Sequence, residues 1–464
     1  MAIISSPTYD PTTTATNLAN TYVAPTKAIL DAQAAKAKAT SGALSTLGSA
    51  LNAFQSALSG LASGTKTVTA NAATISNTAV ATATANSKAV AGTYSFYVEQ
   101  LATAGQVSYN VADSVASNAG SLNIALADGS TFQVALTSAD SDLDGKLTAK
   151  EIAAAVNIAA TNNSRVTAST MTINGVSKLV LTSAQSGADN AVASIDVSGL
   201  GDPALQADLS AQTVLSAASN AIVWIGGQNG TKIEQASNTI TAIDDVSFTV
   251  TQAQAANAAP VTMTVSADKS GTAANVQSFL TAYNNLLGVL NTLTVAGTDA
   301  GVANDAALYG DAGVASLRER LNTSLRGAIG GQTLVNFGIS AGRDGMLTLD
   351  ATRMNRSITA NPAGLDALFG RAGVGATAGS GVLGSMNSLV SGWTNSANGM
   401  LSARKEVATK QQSDIAGRLV TVENQFNNAY KRYLAQFTAL QELQSKMANT
   451  SNLFTALFSS DSDS

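Results

Sequence analysis

The chain is 464 residues long, with 45% hydrophobic, 12% charged and only 5% aromatic residues, which suits several modest domains better than one thick core. It holds no Cys and no His, so disulfides, Cys/His zinc sites and every Ser–His–Asp or Cys–His triad are excluded. A net charge of −5 without a basic run argues against nucleic acid as a partner, and no stretch approaches the ~18 consecutive apolar residues of a membrane span.

Residues 1–25 are rich in Thr, Asn and Pro, lack sustained periodicity, and read as flexible. They show no cationic segment followed by an apolar run, so no Sec-type signal is expected. From about Thr26 an Ala-rich helical pattern begins. It sharpens into Leu44, Leu47, Leu51, Phe54, Leu58 and Leu61, whose alternating steps of three and four put all six side chains on one seam. Gly60 and Gly64 end it.

Residues 75–110 alternate as strands do, and Phe132–Leu136 and Lys178–Thr182 continue the β pattern, with Asp128-Gly129 and Asn174-Gly175 as hairpin turns. Ile222–Ile225, Ser247–Val250 and Val261–Val265 add further strands. Helical periodicity returns after Ala273 and again from Leu308 to Leu325. A long final helix carries Ile415, Leu419, Val422, Phe426, Tyr433, Phe437, Leu440, Leu443 and Met447, spaced by three, four or seven. The fold expected is α+β and multidomain, with long terminal helices forming a coiled-coil leg and helical domain around inserted β-rich outer domains. The segments are 1–42 (flexible leg), 43–74 with 270–425 (helical), 75–112 with 218–269 (β-rich), 113–217 (outer β-rich), and 426–464 (leg helix and tail). Both seams are too apolar to stand in water. They pack on their own chain or against other subunits, and the interface assignment takes in Leu44, Leu47, Leu51, Phe54, Leu58, Leu61, Phe426, Tyr433, Phe437, Leu440 and Met447.

Several segments, taken in order, carry a family likeness: Ala53-Phe-Gln-Ser-Ala-Leu58, Gly92-Thr-Tyr-Ser-Phe-Tyr-Val-Glu-Gln-Leu-Ala102, Val246-Ser-Phe-Thr-Val250, Phe279-Leu-Thr-Ala-Tyr-Asn-Asn-Leu286, Gly345-Met-Leu-Thr-Leu-Asp350 and Gln436-Phe-Thr-Ala-Leu440. Together they resemble the flagellar hook-associated protein 2 family, the filament cap proteins. The resemblance implies a non-catalytic homo-oligomeric ring at the filament tip, outside the cell, that promotes flagellin insertion. It also implies export through the flagellar type III apparatus without a Sec signal, with an export chaperone, flagellin and hook–filament junction proteins as partners. The start departs from the Gly/Leu/Asp-rich pattern expected of the family, with Pro7-Thr-Tyr-Asp-Pro-Thr-Thr-Thr14 in its place. The rival reading is a secreted β-rich adhesin that binds surface glycans or host ligands.

Asp140-Ser-Asp142-Leu-Asp144-Gly145-Lys146-Leu147-Thr148-Ala-Lys-Glu151 matches a twelve-residue calcium loop. Asp140, Asp142 and Asp144 supply carboxylates, Lys146 its backbone carbonyl, Thr148 a direct or water-mediated oxygen, and Glu151 a closing bidentate carboxylate. The element before it reads as a strand, unlike a paired EF-hand, and the bland alternative is a solvated acidic loop capping a helix. Elsewhere, Gly226–Gly230 lacks the P-loop Lys-Ser/Thr and reads as a turn, as does Asp244-Asp245. Arg318, Glu319 and Arg320 read as a solvated helix face, and Trp224 and Trp393 as packing residues. No catalytic constellation emerges, and the chain is not expected to be an enzyme.

Overall fold

The computed structural model describes residues 10–63, 66–112, 114–116, 119–297, 305–373 and 377–459. It divides into two compact units, residues 1–64 with 273–464 and residues 65–272. Among the described residues no helix is long and apolar enough to cross a membrane.

Helix α1 runs unbroken from Pro11 to Leu61, so the expectation that residues 1–25 are flexible is corrected from residue 11 onward; residues 1–9 lie outside the described residues. Its start is well specified. The Asp10 carboxylate accepts from the backbone amides of Thr12 and Thr13, and Pro11 occupies the first helical position. Thr14, Thr16 and Thr21 return their hydroxyls to carbonyls four residues back, which satisfies these polar side chains within the helix. The buried stripe there is Ala15, Ala19 and Val23, small residues that a hydropathy pattern barely registers.

The second unit, residues 65–272, is mostly strand. In chain order it comprises β1 (Ala70–Ile75), β2 (Ala81–Ala85), β3 (Gly92–Gln100), β4 (Gln106–Asn110), β5 (Ser114–Val115), β6 (Ser121–Leu126), β7 (Thr131–Ala135), β8 (Lys146–Leu147), helix α2 (Ala149–Ile158), β9 (Val166–Ile173), β10 (Val176–Ser183) and β11 (Val192–Asp196). There follow helix α3 (Pro203–Ser210), β12 (Thr213–Ser216), β13 (Ala221–Ile225), β14 (Thr231–Gln235), β15 (Thr239–Ile243), β16 (Val246–Val250) and β17 (Val261–Asp268). A five-stranded sheet in the order β1-β17-β3-β13-β14 and a three-stranded sheet β15-β16-β2 share one core, in which Phe96 stacks on Phe248 at 4.6 Å. A second core lies among the sheets β12-β4-β10-β9 and β11-β6-β7 and helices α2 and α3, built on Tyr109, Leu122, Phe132, Ile152, Val156, Leu179 and Leu181. Asn174 and Gly175 both take positive φ between β9 and β10, the geometry that the Asn-Gly pair predicts for a two-residue hairpin.

The chain then supplies α4 (Lys269–Thr294), α5 (Ala312–Arg326), the short strands β18 (Ile339–Ala341) and β19 (Leu347–Leu349), α6 (Ala351–Ala360), α7 (Pro362–Phe369), α8 (Gly381–Thr394) and α9 (Met400–Ser459). In the helical unit an aromatic cluster links α1, α4 and α7. Phe54 meets Tyr283 edge-on at 6.4 Å, and Phe279 meets Phe369 at 5.3 Å; edge-on ring pairs of this kind add to the burial of their area. The Gln55 amide donates to Ser391 Oγ at 2.8 Å and Asn387 Oδ1 at 3.2 Å, tying α1 to α8. Arg404 of α9 pairs with Asp311 at 2.6 Å and lies over the Trp393 ring at 5.3 Å.

Helices α1 and α9 are antiparallel partners. Gly48 faces Leu401 so closely that a Cβ there would stand 2.7 Å from the Leu401 side chain, and Gln412 donates to the Ala37 carbonyl at 3.2 Å. Farther along, Val23, Leu30 and Ala37 interlock with Ile415 and Val422, while Ala34, Leu419 and Phe426 pack around them. This is the 3-4 spacing of a coiled-coil seam, satisfied within one chain.

Candidate functional site

The structure divides the proposed interface residues into two groups. Leu44, Leu47, Leu51, Phe54, Leu58 and Leu61 are all buried within the helical unit. This corrects their assignment to an oligomer or filament interface: helices of the same unit cover this stretch, with Tyr283 of α4 against Phe54, Ser391 and Asn387 of α8 on Gln55, and Leu401 of α9 against Gly48. They are core residues that hold the limb to its base.

On α9 the burial fades with distance from that base. Ile415, Val422 and Ala429 are buried, and Phe426, Tyr433 and Phe437 are half-buried. Phe426 stacks against Tyr430 at 6.3 Å, and Arg432 covers the Tyr433 ring at 5.0 Å. Beyond them Leu440 is 41% exposed, Leu443 54%, Met447 64% and Leu453 67%. The pairing register accounts for this. Carried on from Gly48–Leu401 and Ala37–Gln412, it sets Pro11 level with about Thr438. The rest of α9 therefore projects about 30 Å past the start of α1 at 1.5 Å per residue. Leu440, Leu443 and Met447 keep the seam's 3-4 spacing along this projection, so a coiled-coil face continues past the point where α1 begins.

A second apolar stripe escaped the sequence reading. Leu18, Tyr22 and Ile29 on α1 are exposed at steps of four and seven, along one flank of the buried stripe of Ala15, Ala19 and Val23. The signal was present, but it fell in the segment read as flexible.

The acidic loop lies between β7 and α2. One oxygen from each of Asp140, Asp142 and Asp144 lies within 4.8 Å of the others, as the spacing predicted. Gly145, at φ +80°, donates its amide to Asp140 Oδ2 at 3.0 Å, and Leu147 is fully buried beneath the loop. Glu151 and Thr148 are joined to each other and to Ser141. Glu151 Oε1 accepts from the Ser141 amide at 2.8 Å and hydroxyl at 3.2 Å, and Oε2 accepts from the Thr148 amide at 3.0 Å and hydroxyl at 2.9 Å. Thr148 is the N-cap of α2 and Glu151 completes a capping box. The two backbone amides, that of Thr148 foremost, hold the Glu151 carboxyl down at about 2, against an ordinary value of 4.5. Because the folded value is the lower one, the clasp contributes fully above pH 4.5 and is lost as pH falls toward 2. Thermal melts should accordingly show Glu151→Gln destabilised at pH 7, with the gap to wild type closing at the acid end of the range.

A helical unit with a paired-helix limb and a β-rich insertion between its two chain segments is the architecture of a flagellar cap protein. The three-domain crystal structure of the flagellar cap protein FliD from Escherichia coli superimposes with a TM-score of 0.58 at 26% identity, covering 79% of this chain and 99% of that one. Family profiles for the flagellar hook-associated protein 2 N-terminus and C-terminus match residues 8–105 and 218–449, and the chain belongs to that family. It is 30% identical to the B-type flagellar hook-associated protein 2 of Pseudomonas aeruginosa, with 88% of each chain covered. It is 29% identical to the lateral flagellar hook-associated protein 2 of Vibrio parahaemolyticus, with 83% of this chain and 85% of the relative covered.

Proposed function

We propose that the chain caps the distal end of the flagellar filament as a homo-oligomer and promotes flagellin insertion by a steric, non-catalytic action. One observation carries the reading: in a member of this family, the seam on α9 continues past its intrachain partner and leaves Leu440, Leu443 and Met447 exposed. An apolar helical stripe of this kind is suited to docking on other helices, and its modest area suits contacts that form and release as each subunit enters. Neighbouring copies and flagellin are the partners assigned to it. Hook–filament junction proteins, the type III export apparatus and an export chaperone complete the set, and the working place is the filament tip, reached without a Sec signal. The adhesin reading gains no observation of its own.

A flagellated strain lacking this gene tests the proposal. It should release flagellin into the medium instead of building filaments, and a plasmid copy of the chain should restore filaments and motility. Normal filaments on the deletion strain would refute the cap assignment.

A further inference from the structure

We propose that the loop Asp140–Lys146 binds one calcium ion, held by Asp140, Asp142, Asp144 and the Lys146 carbonyl, with Glu151 acting as a clasp and not as a ligand. This inference is independent of the capping role. The decisive observation is Asp140 Oδ1. It is sealed from solvent and accepts no hydrogen bond, while its companion Oδ2 is taken by Gly145. A carboxylate oxygen stripped of water and left without a donor is costly, and a cation beside it removes that cost. The surroundings supply no substitute. Among the described residues none of the three aspartates is in an ion pair, and Lys146 and Lys150 are exposed.

The remaining donors fit a hard, oxygen-seeking ion. Asp142 Oδ1 accepts from the Asp144 amide and Asp144 Oδ1 from the Lys146 amide, which leaves the second oxygen of each carboxylate for the ion. Strand β8 pairs antiparallel with β5, and Ala116 donates to the Gly145 carbonyl at 3.0 Å. The alternation of an antiparallel ladder then turns the Lys146 carbonyl away from β5. Glu151 is committed elsewhere, since both of its oxygens bridge Ser141 to Thr148 and brace the loop across its base. A site without the bidentate closing glutamate belongs at the weak end of calcium affinities, at about 10⁻⁴ to 10⁻³ M, the range of extracellular modules. The bound ion would fix the entry to α2, whose Ile152 and Val156 are part of the second core.

Calorimetric titration of the full chain with calcium chloride, paired with melts in calcium and in chelator, tests this. Wild type should bind a single ion in that range and melt several degrees higher in calcium. Asp142→Asn and Asp144→Asn keep the loop's amide-accepting oxygens but lose charge. Each should melt like wild type in chelator and bind at least tenfold more weakly. Glu151→Gln should still bind, with its lower melting temperature present in chelator as well as in calcium. The absence of heat and of any calcium-dependent shift in wild type would overturn the site, as would wild-type binding by Asp142→Asn. Loss of binding in Glu151→Gln without a lower melting temperature in chelator would make Glu151 a ligand and overturn the clasp.

Discussion

A Phe54→Ala chain should lose about 3–5 kcal/mol of stability, the usual cost of removing a fully buried phenylalanine from a tight core. Phe54 is buried on α1 and meets Tyr283 edge-on, and Tyr283 in turn donates to Asn322 Oδ1 at 2.9 Å and lies beside Phe279. The truncation therefore opens a cavity where α1, α4 and α7 converge, and the neighbouring Gln55 side chain ties α1 to Ser391 of α8, which opposes collapse into it. Urea denaturation should show the lower midpoint. A Phe54→Ala chain as stable as wild type would return the Leu44–Leu61 seam to the surface and undo its assignment as core.

The second large effect has the opposite signature. Replacing Leu440, Leu443 and Met447 together by Ser should lower the melting temperature by only a few degrees, because all three side chains are exposed surface positions and none is part of the buried core. The same triple variant should fail to restore motility in the deletion strain. Such a result would separate stability from function along one continuous apolar periodicity: the positions facing α1 hold the limb together, and those beyond its start are the ones proposed to meet other molecules. A triple variant that swims normally would remove the distal stripe from the capping account.

Much of this was legible in the sequence, and the failures have physical causes. The long helices announced themselves through Leu, Ile and Phe at 3-4 spacing. The first turns of α1 did not, because their inward face is Ala15 and Ala19 and their outward face is largely Thr and Asn. The Leu44–Leu61 seam was recognised as a seam but given the wrong partner. Tyr283, which meets Phe54 in it, comes more than 200 residues later in the chain, and periodicity does not say which molecule provides a cover. The acidic loop was read from spacing alone, and the three aspartates do converge. Two templates coincide on Glu151: the twelfth position of a calcium loop and the third residue of the Thr-x-x-Glu capping box. Which of the two holds depends on where the carboxylate finds its donors, and Ser141 and Thr148 provide them.

The face proposed to receive other copies is the stretch of α9 beyond the start of α1. Sedimentation velocity of the full chain across a range of concentrations, beside the Leu440, Leu443 and Met447 triple-Ser variant, tests it most directly. Wild type should shift to larger species as concentration rises while the variant remains a monomer throughout. Indistinguishable profiles for the two proteins would contradict the claim.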